Sequence, residues 1–496
     1  MPSAGVRRRV LGQGLLLFAG FGASQAMSLG RNALLGYLLA RGDFGIAASI
    51  TLTLQTVEIL TDLAPDRFLM QARAGEEAHM LGAAHAMSLA RGTLIALLLV
   101  LAAESLAHFF GVPEARTAFM LMALTPLIKG ALHLDHRLAQ KRLDNRAYLA
   151  TEVGGQAAAF IVAAPLLLAY PLPIVVVWLA ILQAVVAVGI SHVVAEQPFR
   201  LVLDRGVLRS ALAFGWPIWL SAFPLIAVYQ ADRLIVGRVL GMEALAAYSA
   251  AAMIAMVPGL IAAKVGQAIV LPMLSQRADD GVGFGRAYRL MLEASVIAAA
   301  GYLAVYAMAG GTLLALAFGP QYRGLDLLAA WCGAMWALRM VQAIPGMALM
   351  AQGTTRPLLI AGVVRASVVP LVAVVAVMRL PLEMIAVVGL VGELASLAVL
   401  AMALERTAVG AGLRRSTLLR IAMLTPVTGL LALAGHGLPL ASTIAVAALA
   451  VLAAAFLIAG LMPGIRAMAW ASINGMDNSR AADEPPQFYP TAHRNG

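Results

Sequence analysis

Six basic residues lie inside long apolar runs, where a charge is costly: Arg31, Lys129, Arg233, Lys264, Arg339 and Arg365. At the centre of a bilayer each would cost at least about 2.5–3.5 kcal/mol, so such side chains face water, pair with an acid or reach an interface. Arg91 and Arg238 sit closer to the ends of their runs, within snorkelling reach. A cavity lined mainly by the six suits a polyanion such as a pyrophosphate. Arginine fits that task because its planar fork donates two hydrogen bonds to two oxygens. The bland alternative is that each cation is neutralised by an intramembrane acid and is merely structural. Four acids bear on that choice: Asp232 beside Arg233, Glu393 deep in its run, and Glu58 and Asp62, four apart on one helix face. A carboxylate at that depth either forms a fixed salt bridge or takes up and releases an ion, H⁺ or Na⁺, during transport. The expectation is that the cations converge on one aqueous cavity, with the four acids as ion-coupling candidates.

Such residues need membrane-crossing helices to hold them, and the rest of the chain supplies these. Of its 496 residues 61% are hydrophobic and 12% charged, against roughly 25% charged in a soluble domain. Mean hydropathy is +0.87. A bilayer needs roughly 20 apolar residues per helix. Charge, Gly and Pro breaks divide the chain into about fourteen spans: 10–40, 44–64, 80–110, 115–138, 148–170, 173–195, 211–240, 244–275, 287–318, 325–351, 357–378, 382–404, 416–436 and 438–462. Fold class is therefore all-α and polytopic. Residues 1–205 (spans 1–6) and 206–406 (spans 7–12) would form two pseudo-symmetric six-helix lobes, 407–470 two further spans, and 471–496 a disordered cytoplasmic tail. The connections are too short for a folded extramembrane domain.

Orientation follows from the basic residues, which collect in cytoplasmic loops. With the N-terminus inside, about 23 of the 35 Lys and Arg fall on the cytoplasmic side, against about four outside: Arg41, Arg116, Arg323 and Arg379. Both termini are then cytoplasmic. The basic cluster Arg7–Arg9 before an apolar stretch imitates a signal peptide, but the stretch continues to Ala40 and reads as an uncleaved first span. A weak duplication is also visible. Arg31-Asn32 precedes a short turn and Phe44-Gly-Ile-Ala, much as Asp232-Arg233 precedes a turn and Leu245-Ala-Ala-Tyr. This sets span 1 against span 7, a repeat of the kind that encloses substrate in many transporters.

Other chemistry is poorly supported. The net charge of +10 is spread over loops rather than forming a nucleic-acid surface, and the single cysteine, Cys332, can form no internal disulfide. His133-Leu-Asp135-His136 lacks a fourth metal ligand and reads as a solvated cytoplasmic loop. No Walker A loop, Gly-x-Ser-x-Gly elbow or His-Glu-x-x-His motif occurs, so no cofactor and no metal site is expected.

The stretch Phe214-Gly-Trp-Pro-Ile-Trp-Leu through Tyr229-Gln-Ala-Asp-Arg-Leu-Ile-Val-Gly-Arg, then Glu243-Ala-Leu-Ala-Ala-Tyr-Ser, resembles bacterial oligosaccharide flippases. These are the polysaccharide transporters of the multidrug/oligosaccharidyl-lipid/polysaccharide exporter superfamily. Leu38-Leu-Ala-Arg-Gly-Asp-Phe-Gly-Ile-Ala is similar to their first connection, and Leu271-Pro-Met-Leu-Ser to the end of their span 8. The likeness covers about residues 10–405. It implies two lobes around a cation-lined cavity in a bacterial inner membrane. It also implies ion-coupled alternating access and a polyprenyl-pyrophosphate-linked oligosaccharide as substrate, for O-antigen, capsule or exopolysaccharide, with polymerase or assembly proteins as partners. By position Asp232 and Arg233 match the family's span-7 pair; Arg31 matches a variable polar site, and the other cations are not carried by the motif. Rival readings are a peptidoglycan lipid-precursor flippase, a drug or cation antiporter of the same fold, and a membrane-embedded polymerase or ligase. An organic-cation pocket should be acidic or aromatic, and a polymerase or ligase would carry a sizeable outer loop, whereas the turn after span 5 is little more than Pro171-Leu-Pro173.

Overall fold

Hydrocarbon offers the backbone no hydrogen-bond partner, so a chain this apolar satisfies its amides within helices. A computed structural model describes residues 4–407 except 73, 74 and 143, and every regular element among them is helical. The expected spans 13 and 14 and the expected tail lie outside the described residues. Among the described residues, ten helices are long and apolar enough to cross a bilayer, or eleven if one bent pair counts as a span. The count of fourteen is therefore not reached within the described residues.

The N-terminal half runs α1 (Ala4–Leu38), α2 (Arg41–Leu60), the short α3 (Pro65–Leu69) and α4 (Glu77–Phe110). It continues through α5 (Arg116–Met122), α6 (Leu124–Gly130), α7 (Asp135–Lys141), α8 (Arg146–Ala169) and α9 (Val175–Val193). The expected fourth span is bent by 54° between α6 and α7. The expected seventh span begins earlier than its apolar run, as α10 (Arg205–Tyr229), whose N-terminus Asp204 caps by accepting from the Gly206 and Val207 amides. Those two amides, with His79, hold the Asp204 carboxyl below the usual carboxylate range. At Gln230 the span breaks and resumes as α11 (Ala231–Leu240). Then follow α12 (Met242–Ser275), α13 (Gly281–Phe318), α14 (Asp326–Ala351), α15 (Arg356–Ala366), α16 (Val369–Val377) and α17 (Glu383–Glu405).

Polar contacts between turns lie at two separate ends. At one end Arg41 Nε donates to the Glu243 carbonyl (3.2 Å) and Gln321 Nε2 to the Gly36 carbonyl (2.6 Å). At the other, Arg137 meets Asp66 (3.1 Å), Arg142 meets Glu77 (2.9 Å) and His79 meets Asp204 (3.3 Å). The first end is tightly closed. The start of α2 packs on the start of α12, the two segments paired by the sequence duplication, and Phe44, Tyr248, Phe318 and Tyr322 are all buried there. Gly45 permits the approach, because a Cβ on it would overlap the Met242 carbonyl. Phe44 lies 5.7 Å from the Phe318 ring and 6.3 Å from that of Tyr322.

Candidate functional site

A cavity of about 390 Å³ opens between α2, α4 and α10, away from the closed end. Its polar wall is made by Gln55, Glu58, Asp62, Arg67, Arg91 and Gln230. The sequence shapes this wall by ending α2 early. Asp62 lies beyond the helix, which stops at Leu60, so it does not continue the helical face of Glu58 as expected. Its carboxylate accepts from the Ala64 amide at 3.0 Å and supports a left-handed turn there (φ 51°), a conformation that costs a residue with a Cβ. That turn redirects the chain into α3 and brings the exposed Arg67 to the cavity.

The charges in this half are mostly paired. Lys129 Nζ lies 3.1 Å from Glu58 Oε1, so Lys129 is an ion-pair partner rather than a free deep cation. Arg91 Nη2 donates to the Glu58 carbonyl at 2.7 Å, and Nη1 lies 3.8 Å from Asp62. Arg91 therefore turns inward instead of snorkelling, because two acceptors sit within its reach. Arg67 has no ion pair among the described residues. Three cations face two acids, which leaves one positive charge.

The second half repeats this balance. Arg339 and Arg365 were expected as open cavity cations, yet both are held by Glu393, which is fully buried: Arg339 Nε lies 2.5 Å and Arg365 Nε 3.0 Å from its two oxygens. The Arg365 contact is a charge contact, its Nε–H not being aimed along a hydrogen bond. Desolvating two guanidiniums is costly unless a carboxylate compensates them, which is the physical reason for the pairing. Gln342 Nε2 donates to Ser396 Oγ (2.8 Å), and Arg365 Nη2 to the same oxygen (3.3 Å). Turned over, the Gln342 amide instead donates to Glu393 and accepts from Arg365. The Arg339 guanidinium also lies over Tyr229 (5.0 Å) and Trp336 (4.6 Å). Asp232, in the first turn of α11, accepts from the Tyr248 hydroxyl (2.7 Å) and the Arg233 amide (2.8 Å). Asp232, Arg233 and Arg339 all act electrostatically on the buried Cys332, so the three share one neighbourhood. Arg233 Nε is buried without a partner. Again three cations and two acids leave a single positive charge.

Arg31 and Lys264 stand apart from both clusters. Arg31 Nη1 donates to Gln183 of α9 at 2.7 Å and its Nε is unpartnered, while Lys264 lies 5.3 Å over the Phe21 ring. The six expected cations thus do not meet in one cavity. Arg238, as expected for a residue near a span end, lies over Phe109 (5.6 Å).

Sequence reasoning missed Arg67 and Arg91 as cavity residues, and it missed Gln55, Gln230, Gln342, Ser396 and Tyr248. One signal was present. Arg339 and Gln342, and likewise Glu393 and Ser396, are spaced by three, so each pair faces one way on its helix. The His133-Leu-Asp135-His136 segment, expected in solvent, is buried at 1%, 7% and 4% for its polar residues.

Comparison with known proteins places this geometry in context. The profile of a family described as polysaccharide biosynthesis protein matches residues 34–325. The amylovoran biosynthesis protein AmsL of Erwinia amylovora is 27% identical over 273 residues, 53% of this chain and 68% of that protein. Among solved structures, the fold is shared with the lipid II flippase MurJ in an inward closed conformation (TM-score 0.71, 10% identity, 90% of this chain and 98% of that one). It is also shared with an inward-facing multidrug resistance MATE family transporter of the MOP superfamily (TM-score 0.59, 13% identity, 81% and 96%). Of these two solved structures one is a flippase and the other a transporter.

Proposed function

The chain belongs to the polysaccharide biosynthesis protein family, a flippase-like family of multi-pass membrane proteins, and from that premise we propose that it moves a lipid-pyrophosphate-linked oligosaccharide from the cytoplasmic to the outer leaflet of a bacterial inner membrane. The carrying observation is the cavity between α2, α4 and α10, in which the exposed Arg67 and half-buried Arg91 stand among polar groups of which Gln230 is buried. Arg67, free of any acid among the described residues, is the natural first contact for a phosphate oxygen; Arg91 backs it. The sugar would then lie against Gln55 and Gln230, whose amides both donate and accept.

Ion-coupled alternating access gives the second cluster its role. In the closed-end conformation Glu393 holds Arg339 and Arg365 together, and Asp232 is held by Tyr248. An ion taken up at Asp232 or Glu393 would weaken these contacts, freeing Arg233, Arg339 or Arg365 for the pyrophosphate as the halves rock. Glu58 and Asp62 play the equivalent part beside Arg91 and Lys129. Arg31 and Lys264 extend the cationic path along α1 and α12. Both termini lie in the cytoplasm on this reading, and polymerase or assembly proteins receive the product.

Deleting the gene in its host should abolish the surface polysaccharide and leave completed lipid-linked repeat units in the inner leaflet. Normal surface polysaccharide in the deletion strain would overturn the reading.

A further inference from the structure

Five of the eight histidines, His79, His85, His133, His136 and His192, gather at the end of the molecule opposite the closed seam. Four of them, His79, His85, His133 and His192, touch residues 199–204 of the segment 194–204 that leads from α9 to α10. We propose that His85, His133 and His192 form a proton-sensitive latch that pins this joining segment to α4 when neutral and releases it when protonated.

The pinning contacts are specific. Phe199 stacks on His85 (4.3 Å, 24°) and lies 5.7 Å from His133 and 5.2 Å from His192. The Val202 amide donates to the Gly82 carbonyl (3.1 Å) and the Glu196 amide to Asp135 Oδ2 (2.8 Å). His85 Nε2 accepts from the Leu134 amide (3.1 Å), so its proton sits on Nδ1 and is donated to the Arg200 carbonyl (3.2 Å). His133 Nδ1 accepts from the Asp135 amide (3.2 Å), which places its proton on Nε2. Both rings are therefore neutral by their partners, and both are buried, at 0% and 1% exposure. A second proton on either ring must displace a backbone amide that has no other acceptor shown. Protonating both members of a pair would also set like charges 4.7 Å apart between His85 and His133, or 5.3 Å apart between His133 and His192. His192, exposed and bonded to the Ala131 carbonyl (2.9 Å), gives protons a way in.

Every charged group facing the cluster bears on the sign. The Asp135 carboxylate favours a positive charge on His133 and His85, but its Oδ2 is engaged by the Glu196 amide. His136 donates to the His133 carbonyl (2.9 Å) and lies beside the Arg137–Asp66 pair, whose charges offset one another. His79 opposes release, since its protonated form would bind Asp204 more strongly; that pair is exposed and screened. Three crowded rings against one exposed pair make release the net effect of acid.

The latch bears on transport only through the two-halved reading above, so its test reads segment position instead of flux. In full-length protein carrying Cys332→Ala, spin labels at Gln71→Cys and Leu203→Cys, reconstituted in vesicles, report the distance from the joining segment to the α3 turn. One narrow distance is expected at about pH 8 and a second, longer population at about pH 5.5, on either side of the ordinary imidazole range. Asp204 stays ionised at both values, so its helix cap does not contribute. His133→Gln, which keeps an acceptor for the Asp135 amide, and His192→Asn should each reduce the acid-induced population. A wild-type distance that is the same at both pH values overturns the proposal, and so does an acid shift that survives undiminished in both variants.

Discussion

Glu393 is the residue on which the second half's charges turn. Replacing one member of a buried ion pair leaves the others desolvated and uncompensated, at about 3–5 kcal/mol. Glu393→Gln should therefore lower the thermal unfolding midpoint of the purified protein markedly, and adding Arg365→Met should restore part of the loss by removing one of the stranded cations. Equal stability of wild type and Glu393→Gln would mean the cluster contributes nothing to folding. Arg67 calls for a different expectation. It supports no described contact, so Arg67→Ala should leave folded yield unchanged while lowering transport about 10- to 100-fold, as loss of a hydrogen bond to a charged group of about 1.5–3 kcal/mol implies. Arg67→Lys should recover only part, since the charge remains but the fork is gone. At this scale the sequence told which charges lie in apolar runs but not how they pair or how deep they sit, Lys129 and Lys264 being exposed. Charge in an apolar run is visible in one dimension; whether Glu393 meets Arg339 or Asp232 meets Tyr248 depends on how α11, α12, α14 and α17 are packed. Arg67 looked like an ordinary loop cation because the left-handed turn at Ala64 has no signal in an alanine.

The elements were more legible, and their departures are where function concentrates. Apolar runs gave the positions of the long helices closely, because length and hydropathy fix a span, whereas the short α3 falls in no expected span. The break at Gln230 was not foreseen, since no glycine or proline stands there, and the bend between α6 and α7 was not foreseen although Gly130 ends α6. The duplication was readable because both copies keep small residues where α2 and α12 meet, and Gly45 is the tightest of these contacts. Gly45→Val should wedge the closed end apart. A cysteine placed at Gln321, half-buried in that seam, should then react with a maleimide several times faster than in a Gly45 background. An unchanged rate would show that this contact does not hold the end shut.

For the whole molecule, the alternation of basic residues predicts which face is cytoplasmic. A cysteine at Arg323 should be labelled from outside intact cells, and one at Arg142 only after permeabilisation; the reverse pattern would invert the topology. The most direct measurement of the central claim is translocation itself. Vesicles are loaded symmetrically with a lipid-pyrophosphate-linked oligosaccharide and then treated outside with a glycosidase that cannot cross the bilayer. Without protein about half the glycan should be cleaved, and with the wild-type chain nearly all of it, at a rate cut by Arg67→Ala. A protected half that persists in the presence of folded wild-type protein and an imposed ion gradient would contradict the account.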